Sequence, residues 1–300
     1  MHFNFLGRDG DNARVKFAGV KDAQNVVSII NTTQELGLAI NMGQVPGWLS
    51  LNKFGENPEI DTTSGIVDIW DGKRRYTWDA NGTAPIMRLV STNAADVQPI
   101  TVYGLDVNGY DVAQTVTLQG TTPVQLTTSL WRVFRLENDG TVDVAGLVFA
   151  YVGAVAPAAV TDPQVRAIIS DGNNQTLMAL YTIPRGKVGF FVRGEIGMSR
   201  GLVTSFVRCA YFSRRYGKVF KVKKRIDLMG YGTSTYADLR PFPDAIPALT
   251  DISLTVEEVS ANDTGVFGAF DILLVDSEHF SKAFLTSIGQ PYPEDYAHFP

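Results

Sequence analysis

The chain has 300 residues, 45% hydrophobic and 19% charged, with 28 glycines and a formal net charge of −5. These values sit near the globular average and argue against a disordered, collagenous or coiled-coil chain, while the length leaves room for two cores. A single cysteine, Cys209, excludes an internal disulfide framework and a Cys-based zinc cluster, and three histidines, His2, His279 and His298, leave little material for a His-based metal site.

In chain order, the first 45 residues are polar with one weakly amphipathic stretch, Ala23 to Ile30, and read as an N-terminal arm (1–45) with one short helix. No apolar run behind a basic start marks a secretory signal. The most apolar window, Gly146 to Val160, is broken by Gly153 and Pro157, so no membrane span is expected. Period-two alternation then dominates. Ile100 to Gly104 and Val112 to Leu118 flank Asn108-Gly109, a hairpin signal in which both residues accept positive φ. Val124 to Leu136, Thr141 to Tyr151, Thr176 to Ile183, Lys187 to Met198, Ser205 to Phe212, Val219 to Leu228, Asp251 to Val259 and Val266 to Val275 read as further strands, with Gly146 marking a bulge. With no 10–15-residue helices between them, the expected fold is all-β: two antiparallel β-sandwich domains of jelly-roll or Ig-like type. They are placed at 46–156 and 165–277, joined by an Ala- and Pro-rich linker at 157–164 and followed by a tail at 278–300 whose prolines at 291, 293 and 300 resist a ladder.

Motifs for chemistry are sparse. No Walker A, dinucleotide fingerprint or His-Glu-X-X-His occurs. Glu278-His279 is the one His with an adjacent carboxylate, Glu257-Glu258 on an alternating strand should point to opposite faces, and Asp9-Gly-Asp11 lacks the further ligands of a calcium loop. No catalytic, cofactor-binding or metal residue is assigned, and no enzyme activity is expected.

The unusual charge feature is Arg214, Arg215, Lys218, Lys221, Lys223, Lys224 and Arg225, without an acid among them; removing them leaves 19 bases against 31 acids, a net of −12. Alternation puts Phe220, Val222, Ile226 and Leu228 on one face and Lys221, Lys223 and Arg225 on the other. Three readings stand: an edge strand protected by lysines, a row meeting an acidic surface of a like or partner subunit, or nucleic-acid contact, for which Phe220 points the wrong way. The aromatic cluster Trp48, Phe54, Trp70, Tyr76 and Trp78 reads as core closure or as a sugar platform.

Several phrases, taken together and in order, resemble a known family: Val45-Pro-Gly-Trp, Asn52-Lys-Phe-Gly, Ile69-Trp-Asp-Gly, Thr101-Val-Tyr-Gly-Leu-Asp, Val116-Thr-Leu-Gln-Gly-Thr-Thr-Pro-Val, Asn174-Gln-Thr-Leu-Met-Ala-Leu-Tyr-Thr-Ile-Pro-Arg-Gly-Lys and Phe270-Asp-Ile-Leu-Leu-Val-Asp. The family is a widespread, largely uncharacterised group of virion structural proteins from tailed bacteriophages, especially marine ones. The resemblance runs from about residue 45 to 276, and the longer N-terminal arm and the residues after Asp276 depart from it. It implies a non-enzymatic building block of the particle with no cofactor, made in the host cytoplasm and located in the virion. Its expected partners are other copies of itself and other virion proteins such as the major capsid protein. Capsid decoration or a minor capsid role is the expectation, with a neck or tail component (adaptor, tail-fibre or receptor/glycan-binding module) as the alternative. Arg214 to Arg225, together with Pro291, Tyr292 and Tyr296, are the expected intersubunit contacts.

Overall fold

The structure is a computed structural model, and its description covers residues 33–239 and 243–291. The expected helix at Ala23–Ile30, the arm before residue 33, and Tyr292 and Tyr296 lie outside the described residues. One short helix, α1 (Thr33–Asn41), belongs to a unit of its own that ends at Ser50; the described residues from Leu51 onward form a second compact unit.

Fifteen strands follow: β1 (Trp48–Ile60), β2 (Val67–Asp68), β3 (Met87–Ser91), β4 (Pro99–Leu105), β5 (Asp111–Thr117), β6 (Val124–Gln125), β7 (Arg132–Asn138), β8 (Val148–Val152), β9 (Val165–Ile169) and β10 (Leu180–Thr182), then β11 (Lys187–Arg214), β12 (Lys221–Leu239), β13 (Ala245–Ile246), β14 (Asp251–Val259) and β15 (Thr264–Asp276). The fold is all-β. β6-β3-β8-β9 form a four-stranded sheet and β5-β4-β7 a three-stranded one. Their apolar faces supply one core, with Leu89, Phe149, Ala167, Ile100 and Leu136 among its buried residues, so the two sheets pack as a sandwich. The third sheet has the order β1-β15-β11-β14-β10, with β12 and β13 added on β11 and β2 on β14. A second core covers it and takes Leu105 and Phe134 from the three-stranded sheet and Trp131 from the residue before β7.

The sheets do not divide where the sequence placed a boundary. β8 and β9 pair antiparallel within one sheet, and the Val152 amide donates to the Gln164 carbonyl at 3.0 Å, so residues 157–164 are a hairpin loop rather than an interdomain linker. β2, expected in the first domain, pairs with β14, and β1 from Leu51 onward neighbours β15. The physical reason is that β9, buried along its whole length, finds its ladder partner in β8, its neighbour in sequence, across the hairpin loop.

The hairpin at 106–110 forms with a different turn from the expected one. Only Gly109 takes positive φ (85°), the Asp106 carboxylate accepts from the amides of Asn108 and Tyr110, both at 2.9 Å, and the Asp106 amide donates to the Tyr110 carbonyl. Lys187–Met198 and Ser205–Phe212 merge into the 28-residue β11, because β12 pairs alongside both halves. Val124–Leu136 instead splits into β6 and β7, and Gly146 lies in a loop before β8 rather than in a strand. After β15 the chain makes a 3-10 turn (Ser277–His279) and a helix, α2 (Lys282–Ser287), capped by Ser281, whose hydroxyl accepts from the Phe284 amide at 3.2 Å. Phe280 lies between Phe190 of β11 and Phe284 of α2, with ring centroids 6.0 and 4.9 Å away.

Candidate functional site

The basic run spans the last residue of β11, the turn between β11 and β12 and the first five residues of β12. Three of its seven bases serve the fold. Arg214 donates from Nε and Nη2 to Oδ2 of Asp251 at 2.8 and 2.5 Å, and its guanidinium stacks on Phe220 at 4.5 Å and Trp78 at 5.5 Å. The same carboxylate, 2% exposed, accepts Arg132 at 3.0 and 3.2 Å and the Thr182 hydroxyl at 2.6 Å. Lys224 meets the Asp238 carboxylate and the Tyr236 hydroxyl, both at 2.8 Å. Arg225 pairs with both oxygens of Glu257 at 2.7 and 3.1 Å.

Two β-bulges set this distribution. Tyr211 pairs with Lys224 but Phe212 with Val222, so Lys223 is extra; Val222 turns outward, contrary to the expected apolar face, while Ile226 and Leu228 stay buried. On β14, Arg208 pairs with Glu258 and Cys209 with Val256, so Glu257 is extra. Glu257 and Glu258 therefore line one depression with Arg208, Arg225 and Asp227 instead of pointing to opposite faces. Arg208 bridges Asp227 (2.9 and 3.1 Å) and Glu258 (3.3 Å), and this hydrogen bonding holds the Asp227 carboxyl below the usual carboxylate range. The depression is an ion-pair lattice of two arginines and three carboxylates.

The remaining four bases, Arg215, Lys218, Lys221 and Lys223, make no ion pair among the described residues and line one cleft of about 430 Å³. Its floor is apolar, with Phe191, Tyr211, Ile246, Pro247 and Ile252, and Asp244 is its one acid. Thr250, 2% exposed, also lines it and carries a buried hydroxyl without a hydrogen-bond partner. The sequence showed the charge density. It did not show the sorting, because the acids that absorb Arg214 and Arg225 lie 37 and 32 residues downstream.

β12 pairs among the described residues with β11 alone and so forms a sheet edge. The charges of that edge are absent between Asp227 and Asp238. Leu228 to Ala237 carries no charge and no proline, and Met229 and Tyr231 within it are 71% and 64% exposed.

Three of the five expected aromatics, Trp70, Tyr76 and Trp78, come together. Trp70 and Tyr76 are buried and meet edge to face at 5.1 Å, Tyr76 meets Trp78 at 4.9 Å, and Trp78 meets Phe220 at 5.6 Å; Trp48 is half-buried. Phe220, half-buried, has Arg75 and Arg214 over its ring. His279 and Glu278 are exposed and form with Asp276 a group whose ligand atoms lie within 4.8 Å, but Asp276 is already ion-paired to Lys187. Asp9, Asp11, His2 and His298 fall outside the described residues. Pro291 is half-buried and is the last of them. No described helix is long and apolar enough to cross a membrane.

No protein-family model matches the chain, and no curated protein does. Among solved structures it is similar to infectious bursal disease virus of the Gx strain, with a TM-score of 0.20, 10% identity and coverage of 76% of this chain and 75% of that one. The Gt strain gives a TM-score of 0.21 and 10% identity over 81% and 78%. The VP2 subviral particle of the same virus gives 0.19 and 11% over 80% and 77%. Superposition this loose carries no argument about fold or role.

Proposed function

We propose that this chain is a non-enzymatic structural protein of a tailed-bacteriophage particle that assembles with further copies of itself, as a capsid-decorating or minor capsid protein. The observation that carries the self-assembly is the edge of β12. A sheet edge presents unpaired backbone amides and carbonyls, and proteins that stay apart blunt such edges with charge, proline or a cover. Here the charges Lys221, Lys223, Arg225 and Asp227 protect only the first residues, and the ten from Leu228 to Ala237 are uncharged, with Met229 and Tyr231 exposed. Another strand is the partner that satisfies such an edge along its length. The ordered set of strand-and-turn phrases supports the particle, and the buried carboxylates fit a structural role. Asp68 is engaged by Arg75, Thr255 and the Tyr76 amide, Asp96 by Ser91 and the amides of Ala145 and Gly146, and Asp251 by two arginines.

Light scattering of the purified chain tests the assembly: the expected result is an oligomer that Tyr231→Lys with Thr233→Lys converts to monomer without loss of far-ultraviolet β signal. A wild-type monomer at about 100 μM, a concentration at which even a micromolar edge contact would be saturated, contradicts it. Quantitative mass spectrometry of purified particles separates the placements. Tens to hundreds of copies fit capsid decoration, roughly a dozen or fewer fit a neck or tail position, and absence overturns the reading.

A further inference from the structure

The cleft that gathers Arg215, Lys218, Lys221 and Lys223 has two unlike walls. One is basic and follows the chain round the turn after β11 and into β12, with a base at each of these four positions. The other is apolar and comes from β13, the loop after it and β14, with Ile246, Pro247 and Ile252; exposed Asp244 beside it is the cleft's one acid. A bend in β11 brings the walls together. Phe191 and Tyr211, near opposite ends of that strand, both line the cleft and meet edge to face at 5.0 Å. A straight strand would hold them roughly 65 Å apart.

Four cations against one acid give the cleft a positive charge in a chain whose net charge is −5, so anionic groups are drawn here and opposed elsewhere. Thr250 is a separate sign of a ligand. It is 2% exposed and lines the cleft, and its buried hydroxyl has no hydrogen-bond partner among the described residues, a cost that an incoming acceptor would relieve. The ligand that fits both walls is an extended peptide. A strand turns successive side chains to opposite sides, so a segment alternating acidic with aromatic or aliphatic residues lays carboxylates along the basic wall and apolar groups along the other. A compact anion such as phosphate would use the bases and leave the apolar wall bare. The volume of about 430 Å³ falls within the roughly 300–1,000 Å³ of ligand pockets and admits a few such residues.

We propose that this cleft is a docking site for an acidic, aromatic-bearing linear segment of a partner protein. Its carboxylates pair with Arg215, Lys218, Lys221 and Lys223, its apolar side chains cover Ile246, Pro247 and Ile252, and one of its oxygens accepts from the Thr250 hydroxyl. The site is separate from the uncharged edge of β12 and stands whether or not copies of the chain pair there.

The test titrates the full chain into a fluorescein-labelled heptapeptide of alternating glutamate and phenylalanine and reads fluorescence anisotropy. The expected result is saturable binding with a Kd of about 10–100 μM at low salt. Lys221→Glu with Lys223→Glu, or salt at about 0.5 M, should weaken it about tenfold or more, since the contacts are exposed charges. A peptide with serine in place of phenylalanine should bind severalfold more weakly. Thr250→Val should also cost severalfold in affinity while its thermal midpoint is no lower than wild type, because the change removes an unsatisfied hydroxyl. Tyr231→Lys with Thr233→Lys, which disrupts the β12 edge, should bind as wild type does, so failure of the self-assembly reading leaves this result untouched. No binding up to about 1 mM overturns the proposal. So does equal binding by the charge-reversed variant at a wild-type thermal midpoint, loss of binding in the β12-edge variant, or displacement of the peptide by inorganic phosphate or single-stranded oligothymidylate at lower concentration than by unlabelled peptide.

Discussion

Nε of Arg214 donates to Oδ2 of Asp251 at 2.8 Å, and that bond removes the first residue of the basic run from the surface to the buried hub where Arg132 also ends. Asp251 stands between Thr250 and Ile252, both of which line the cleft, so the pair ties the cleft wall to β7 and β11. Asp251→Ala would leave two guanidiniums without their shared carboxylate. The expected loss is about 3–5 kcal/mol in denaturant unfolding, as for other broken buried pairs. Arg225→Ala, which breaks an exposed pair with Glu257, should leave the midpoint unchanged within error.

Gly104 marks a second point where the fold allows no latitude. A Cβ there would lie 2.1 Å from the backbone carbonyl oxygen of Arg132, at the register shift between β4 and β7. Backbone cannot rotate away as a side chain can, so Gly104→Ala is expected to cost about 2–4 kcal/mol by forcing the strands apart. Thermal unfolding monitored by circular dichroism checks this.

Two buried ionisable groups give opposite pH slopes. Burial, with Arg135 nearby, lowers Lys53 to about 7, and its Nζ donates to the Phe134 carbonyl. Between about pH 7 and 10.5 the unfolded chain holds a proton on this lysine that the folded chain has released, so stability rises as pH climbs through that window. Burial raises Asp71 to about 6. Between about pH 4 and 6 the folded chain holds the extra proton, and this group's penalty is present above pH 6 and relieved as pH falls. Lys53→Met should flatten the alkaline slope and Asp71→Asn the acidic one, read from urea midpoints across pH 4.5–10.

Cys209 is 0% exposed with its thiol pushed up to about 12 by burial, so it is expected to react with a thiol reagent only as fast as the chain unfolds. Reaction in seconds under native conditions would contradict the packing of this strand.

Alternation carried part of the fold: β4, β5, β14 and β15 lie within two residues of their sequence-based limits, and β5 and β15 present unlike faces along their length. β9, the five-residue run Val165–Ile169, is buried throughout, and its one charge, Arg166, is absorbed by Asp79, 87 residues away, so nothing local marked it as a strand. β1 contains Gly55 and Pro58, which argue against a strand; it tolerates them at the end of the sheet order. Of the candidate site, the charge density at Arg214–Arg225 was legible. The bulges at Lys223 and Glu257, and the distant acids that sort the run into structural and cleft-lining bases, arise only when β11, β12 and β14 pair.

The central claim, that the uncharged edge of β12 is a contact between copies, is tested most directly by amide hydrogen exchange of the wild-type chain across about a hundredfold range of concentration, since pairing by mass action must protect the edge as concentration rises. The account expects slowed exchange for backbone amides between Leu228 and Ala237 at the high end, with β4 and β5 unchanged. Rapid exchange of those β12 amides at every concentration would contradict it.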